Sequence, residues 1–85
     1  MQPFTKEKPI IIVNFKTYLE STGKNALELA SILSEASQET GVQFIVAAQS
    51  TDIHVLASRG VPVIAQHIDS IEPGSNTGSI LPEAI

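Results

Sequence analysis

Pro9-Ile10-Ile11-Ile12-Val13-Asn14-Phe15-Lys16-Thr17-Tyr18 is the stretch that decides the fold. Its apolar, β-branched first half reads as a strand, from Ile10 to Phe15, buried on both faces as in a parallel sheet. The polar residues come directly after it. In α/β folds, chemistry collects beyond the carboxyl ends of such strands. Asn14 and Lys16 are spaced i, i+2, which on a strand places both on one side. An amide and an ammonium so placed suit an anionic small molecule.

Beyond this stretch, Ser21-Thr22-Gly23 punctuates the chain, and either hydroxyl can cap a helix beginning there. From about Lys24 the apolar period lengthens. Ala26, Leu29, Ala30, Leu33 and Ala36 or Ser37 share one face, with Glu28, Glu35 and Glu39 on a solvated face. That predicts an amphipathic helix, stopped at Gly41 by a left-handed C-terminal glycine. Gln43 to Ala48 reads as a second strand. Ser50-Thr51-Asp52 caps a second helix that turns Ile53, Leu56 and Ala57 inward and ends at Gly60. Val61 to Gln66 reads as a third strand, with Pro62 near its start, where a missing N–H is tolerated.

A long connection runs from Asp69 to Ser79 and contains Pro73, Gly74 and Gly78. Connections from strand to helix usually span ~2–6 residues, and longer ones are often functional. Ile80 to Ile85 reads as the start of a helix, with Ser79 as cap and Pro82 in the first turn. The strand–helix alternation implies parallel pairing. Three parallel strands leave two open edges and uncovered faces. The pattern therefore reads as part of something larger, completed by more chain or by associating copies.

The composition narrows the function classes. With 85 residues the chain supplies one small core, and 42% hydrophobic against 16% charged residues argues for a folded chain. A net charge of −4 argues against nucleic acid and anionic membrane surfaces as partners. Cysteine is absent, so no disulfide or thiolate metal site is possible. Met1 to Lys8 is polar with alternating charge, unlike a signal segment. A cytoplasmic setting is the expectation.

The motifs carry a resemblance. Ile11-Ile12-Val13-Asn14-Phe15-Lys16-Thr17-Tyr18 resembles the first strand of the triosephosphate isomerase family, whose members are (β/α)₈ barrels. Ala65-Gln66-His67-Ile68-Asp69 resembles its third strand end. Glu72-Pro73-Gly74-Ser75-Asn76-Thr77-Gly78-Ser79 resembles its third loop, which in that family reaches into a neighbouring subunit. Gly23-Lys24-Asn25-Ala26 and Leu81-Pro82-Glu83-Ala84 are most similar to the archaeal branch. The resemblance runs from about Pro9 onward. It implies an α/β fold in which residues 1–85 form the N-terminal three βα units of an incomplete TIM barrel.

It also implies roles. Lys16 matches the catalytic lysine that neutralises the substrate phosphate and the charge growing on the enediolate. Asn14 matches the asparagine that positions a substrate oxygen, and Phe15 lies between them in the substrate-binding set. Asn76, Thr77 and Gly78 match the subunit-interface loop, with Thr77 buttressing the adjacent active site in a tetramer or dimer. The implied substrate is a triose phosphate, with no cofactor and no metal. The family's electrophilic histidine and general base belong to its fourth and sixth strands, beyond Ile85. The 85-residue chain is thus expected to be inactive alone. Ser79 replaces a family glutamate, which alters that loop's usual ion pair.

Plainer readings accompany these. A strand-end lysine also snorkels to solvent, and Asn14 also reads as a turn-former. His67 and Asp69 are two ligand types, not a coordination sphere, so His67 reads as a hydrogen-bonding residue and His54 as solvent-facing. Gly74 to Gly78 lacks the lysine of a phosphate loop. The alternatives in function are a self-associating fragment and a small module that binds phosphate esters.

Overall fold

A computed structural model describes residues 8–85, so the polar stretch before Lys8 lies outside the described residues. Three strands form one parallel sheet in the order β1-β2-β3: β1 (Ile10–Asn14), β2 (Gln43–Ala48) and β3 (Val63–Ala65). Helix α1 (Lys24–Thr40) joins the first two and α2 (Ser50–Ser58) the last two. Short 3₁₀ turns lie at Leu19–Ser21 and Pro82–Ala84. The alternation and parallel pairing expected from the apolar periods are present. This is the N-terminal βα arrangement of a TIM-barrel fold, with the barrel not closed.

One core forms where both helices meet the sheet. Phe44, Val46 and Ala48 of β2 cluster with Ala26 and Ala30 of α1 and with Ile53 and Leu56 of α2. The small alanines let α1 approach β2 closely, and Leu56 and Val46 are fully buried. Alternation along the strands sends Ile10, Ile12, Ile45 and Ile64 to the opposite face. Ile10, Ile11 and Ile12 are 43%, 53% and 60% exposed, against the expectation of a strand buried on both faces. The reason is that β1 pairs on one side only, with β2, and the helices cover one face of the sheet.

Element ends differ from the sequence expectations for identifiable reasons. The residue before α1 is Gly23, and no side chain caps the helix; Ser21 and Thr22 turn their hydroxyls back to Phe15 and Tyr18 carbonyls instead. The Gly23 N–H is taken by a carboxylate oxygen of Asp52, 29 residues on, at 3.1 Å. That same Asp52, expected to help cap α2, is 6% exposed, and α2 starts after Gln49 without a side-chain cap. Ala57 is exposed rather than inward. The stop of α1 agrees: Gly41 is left-handed at φ 75° and its N–H donates to Ser37 O at 2.8 Å.

β3 is shorter than Val61–Gln66, although the Pro62 carbonyl still accepts the Val46 N–H at 2.9 Å. Ser79 caps nothing. Leu81 precedes the last 3₁₀ turn, whose first position is Pro82.

Candidate functional site

The strand β1 stops at Asn14, and the backbone then changes hand. Lys16 has φ 54°, the one described non-glycine residue with positive φ. Asn14 Oδ1 accepts the Lys16 N–H at 2.9 Å. This local turn is what a short side-chain carbonyl two residues earlier favours. Asn14 and Lys16 are therefore brought together by a turn, which corrects the expectation of two strand positions on one side. Both are exposed.

Three neighbours fix this turn. The Phe15 N–H donates to Ala47 O at 2.9 Å, extending the β1–β2 ladder one residue. The Phe15 ring is 2% exposed and belongs to the core. Its side chain therefore anchors the turn, while the side chains of Asn14 and Lys16 on either side of it are exposed. The Gln66 side-chain amide, just past β3, donates to Lys16 O at 2.9 Å and to Ala47 O at 3.2 Å. One amide thus ties together the ends of all three strands. Ser21, 5% exposed, donates its hydroxyl to Phe15 O.

The return segment is anchored from the other side. Gln49 Nε2 donates to Thr22 Oγ1 at 2.8 Å, and Thr22 Oγ1 donates to Tyr18 O at 2.6 Å. A groove of ≈ 350 Å³ opens beside the turn, lined by Val13, Asn14, Phe15, Tyr18, Glu20, Ser21 and Leu29.

The long connection is closed at its base. The Asp69 N–H donates to Ile80 O at 2.9 Å, and the Ile80 N–H donates to Asp69 Oδ2 at 2.7 Å. His67 Nε2 lies 2.8 Å from Asp69 Oδ1. The Ile80 N–H first, and His67 beside it, hold the Asp69 carboxyl below the usual carboxylate range. Asn76 Nδ2 donates to Glu72 O at 3.1 Å, and Asn76, Thr77 and Gly78 are all exposed at the loop tip. Gly78 has φ 83°, a conformation that side chains disfavour. His54 is exposed. No group of three or more His, Asp or Glu able to hold a metal occurs among the described residues.

Comparison with known proteins adds the decisive observation. The family model described as "Triosephosphate isomerase" matches residues 9–85. The chain belongs to the triosephosphate isomerase family. It is 56% identical over 81 residues to the triosephosphate isomerase of Methanobacterium bryantii, covering 94% of this chain and 36% of that protein. It is 56% identical over 79 residues to that of Methanothermobacter thermautotrophicus, covering 92% and 34%. With that of Methanocaldococcus jannaschii it shares 48% over 77 residues, covering 89% and 35%. The chain spans about a third of the length of these relatives.

Set on the triosephosphate isomerase segment, the sequence motifs fall at the ends of β1 and β3 and in the connection after β3. The supports of Lys16 were less legible. Gln66 stands in a motif but gave no sign of its double hydrogen bond. Ser21 read as a helix cap, and Asp52 as a cap for the wrong helix. The available signal was position: each is a polar residue directly beside an apolar element end.

Proposed function

We propose that this chain supplies the anion-holding part of a triosephosphate isomerase active site. The intact protein interconverts glyceraldehyde 3-phosphate and dihydroxyacetone phosphate through an enediolate. What supports this most is Lys16, exposed on a left-handed turn at the carboxyl end of β1 and held through Asn14 and Gln66. These bonds hold the Lys16 backbone, so the root of the cation is set before a substrate arrives and its charge is at hand for developing negative charge. Asn14, whose Oδ1 is engaged by the Lys16 N–H, retains its amide NH₂ as a donor for a substrate oxygen.

Isomerisation also needs a base for the proton α to the carbonyl and an acid that polarises it. The resemblance places both beyond Ile85. Residues 1–85 are then a partial barrel domain and inactive alone. Asn76, Thr77 and Gly78, exposed at the loop tip, are the proposed contact with an adjacent subunit of a cytoplasmic tetramer or dimer.

Lys16→Met in the full-length protein carrying this segment tests the reading. kcat/KM falls by at least ~10²-fold, the scale of removing one charge-stabilising donor. A loss below about tenfold refutes the role of Lys16. Exchange of the substrate α-proton by the 85-residue chain refutes the inactivity. The exposed isoleucines of β1 favour a second property, self-association of the isolated chain. A monomer in sedimentation at high concentration excludes it.

A further inference from the structure

The peptide group that precedes Lys16 is pinned at both of its ends. Its N–H, that of Lys16, donates to Asn14 Oδ1 at 2.9 Å. Its carbonyl, that of Phe15, accepts the Ser21 hydroxyl. Ser21 is 5% exposed, so water does not readily take over that contact. Ser21 Oγ also lies 3.2 Å from Tyr18 O. A hydroxyl has one proton to donate. Tyr18 O already receives the Thr22 hydroxyl at 2.6 Å and the Ser21 N–H at 3.1 Å. The Ser21 proton therefore belongs to Phe15 O.

The two pins act on one degree of freedom. Rotating the Phe15–Lys16 peptide plane changes ψ of Phe15 and φ of Lys16 together. It would break both hydrogen bonds at once. A side-chain-bearing residue leaves the left-handed region unless its surroundings hold it there. Phe15 itself cannot follow a rotation, because its ring is in the core and its N–H is bonded to Ala47 O at 2.9 Å. The 3₁₀ turn at Leu19–Ser21 brings Ser21 back beneath the Phe15 carbonyl from six residues away.

We propose that Ser21 is a positioning residue for the anion site: its hydroxyl locks the peptide plane before Lys16 and so sets where the Lys16 ammonium points. The catalytic consequence rests on the isomerase role of Lys16; the backbone effect stands without it. Ser21 touches no substrate in this scheme and acts through Phe15 and Lys16.

The backbone effect is read by NMR on the full-length protein carrying this segment, isotope-labelled at lysine and alanine. The one-bond Cα–Hα coupling of Lys16 differs between positive and negative φ. In Ser21→Ala it moves toward the negative-φ value, while Ala26 and Ala30 keep their signals. Thr22→Val, which removes a hydroxyl from the same segment that does not bond the Lys16 peptides, leaves the coupling in place. Ser21→Thr restores it. Should Ser21→Ala fail to fold, Ser21→Cys fills the space with a weaker donor and shows the same displacement.

An unchanged Lys16 coupling in folded Ser21→Ala or Ser21→Cys overturns the proposal, as does an equal displacement in Thr22→Val. In the full-length protein, Ser21→Ala lowers kcat/KM about tenfold, the scale of one hydrogen bond lost from a positioned group. Most of the loss falls in KM for the triose phosphate, and Ser21→Thr recovers it. A displaced coupling with kcat/KM unaltered overturns the catalytic consequence alone. Full activity in Lys16→Met would instead remove the isomerase role and leave the coupling result standing.

Discussion

Replacing Lys16 by glycine and by alanine separates backbone strain from charge, because both variants lose the ammonium. Lys16 sits at φ 54°. A residue with a Cβ pays roughly 1–2 kcal/mol to occupy the left-handed region. Glycine avoids that cost but loses about 0.5–1 kcal/mol more chain entropy on folding. The difference leaves Lys16→Gly more stable than Lys16→Ala by about 0.5–1 kcal/mol. Since 1 kcal/mol corresponds to roughly 4–8 °C in Tm for a domain of this size, the glycine variant melts about 2–8 °C higher.

Urea unfolding followed by circular dichroism, with equal m-values in the two variants, measures the difference directly. A glycine variant less stable than the alanine variant refutes the strained turn. On the role proposed for Lys16, neither variant would hold a phosphate ester, so the variant that relieves strain would gain stability and lose the site. With the proposed role of Lys16, such a result would join the general pattern of strain kept at functional positions.

Other contacts give three further expected outcomes. Asp52→Ala removes the buried carboxylate that accepts the Gly23 N–H; the loss is about 1.5–3 kcal/mol, and faster amide exchange in the first turn of α1 marks where it falls. Leu56→Ala, at a 0% exposed core position, costs about 2–5 kcal/mol in urea unfolding; a loss well under that range would mean the helices do not share one core. The Asp69 carboxyl is held below its ordinary value of 3.8 by Ile80 N–H and His67. Its folded-state value lies under its unfolded one, so its contribution is complete above pH 3.8 and disappears as pH falls through the lower folded value. Protection of the Ile80 amide, measured against its intrinsic exchange rate, falls in that acid window, and Asp69→Asn removes that fall; protection indifferent to acid refutes the hold of Asp69 on Ile80.

The apolar periods of the chain carried most of the fold. Ile10 to Val13 and Gln43 to Ala48 showed apolar runs and the Ala26–Ala30 face a helical repeat, and such local patterns survive in one dimension. Boundaries were harder. Ser21, Thr22 and Asp52 all have capping chemistry, and the sequence cannot say which amide each will find. Asp52 finds the Gly23 N–H, far away along the chain. Ser79 had the right chemistry and caps nothing.

The candidate site divides the same way. The residue types Asn14 and Lys16, their place after an apolar strand, and the family to which the chain belongs were all written in the order of amino acids. That Lys16 is left-handed, that Phe15 lies in the core, and that Gln66 and Ser21 hold the carbonyls on either side of the turn were decided only when three strand ends met. Apolar alternation depends on near neighbours, so composition along the chain reveals it. A hydrogen bond between Gln66 and Lys16, 50 residues apart, exists only because parallel pairing delivers both to one end of the sheet.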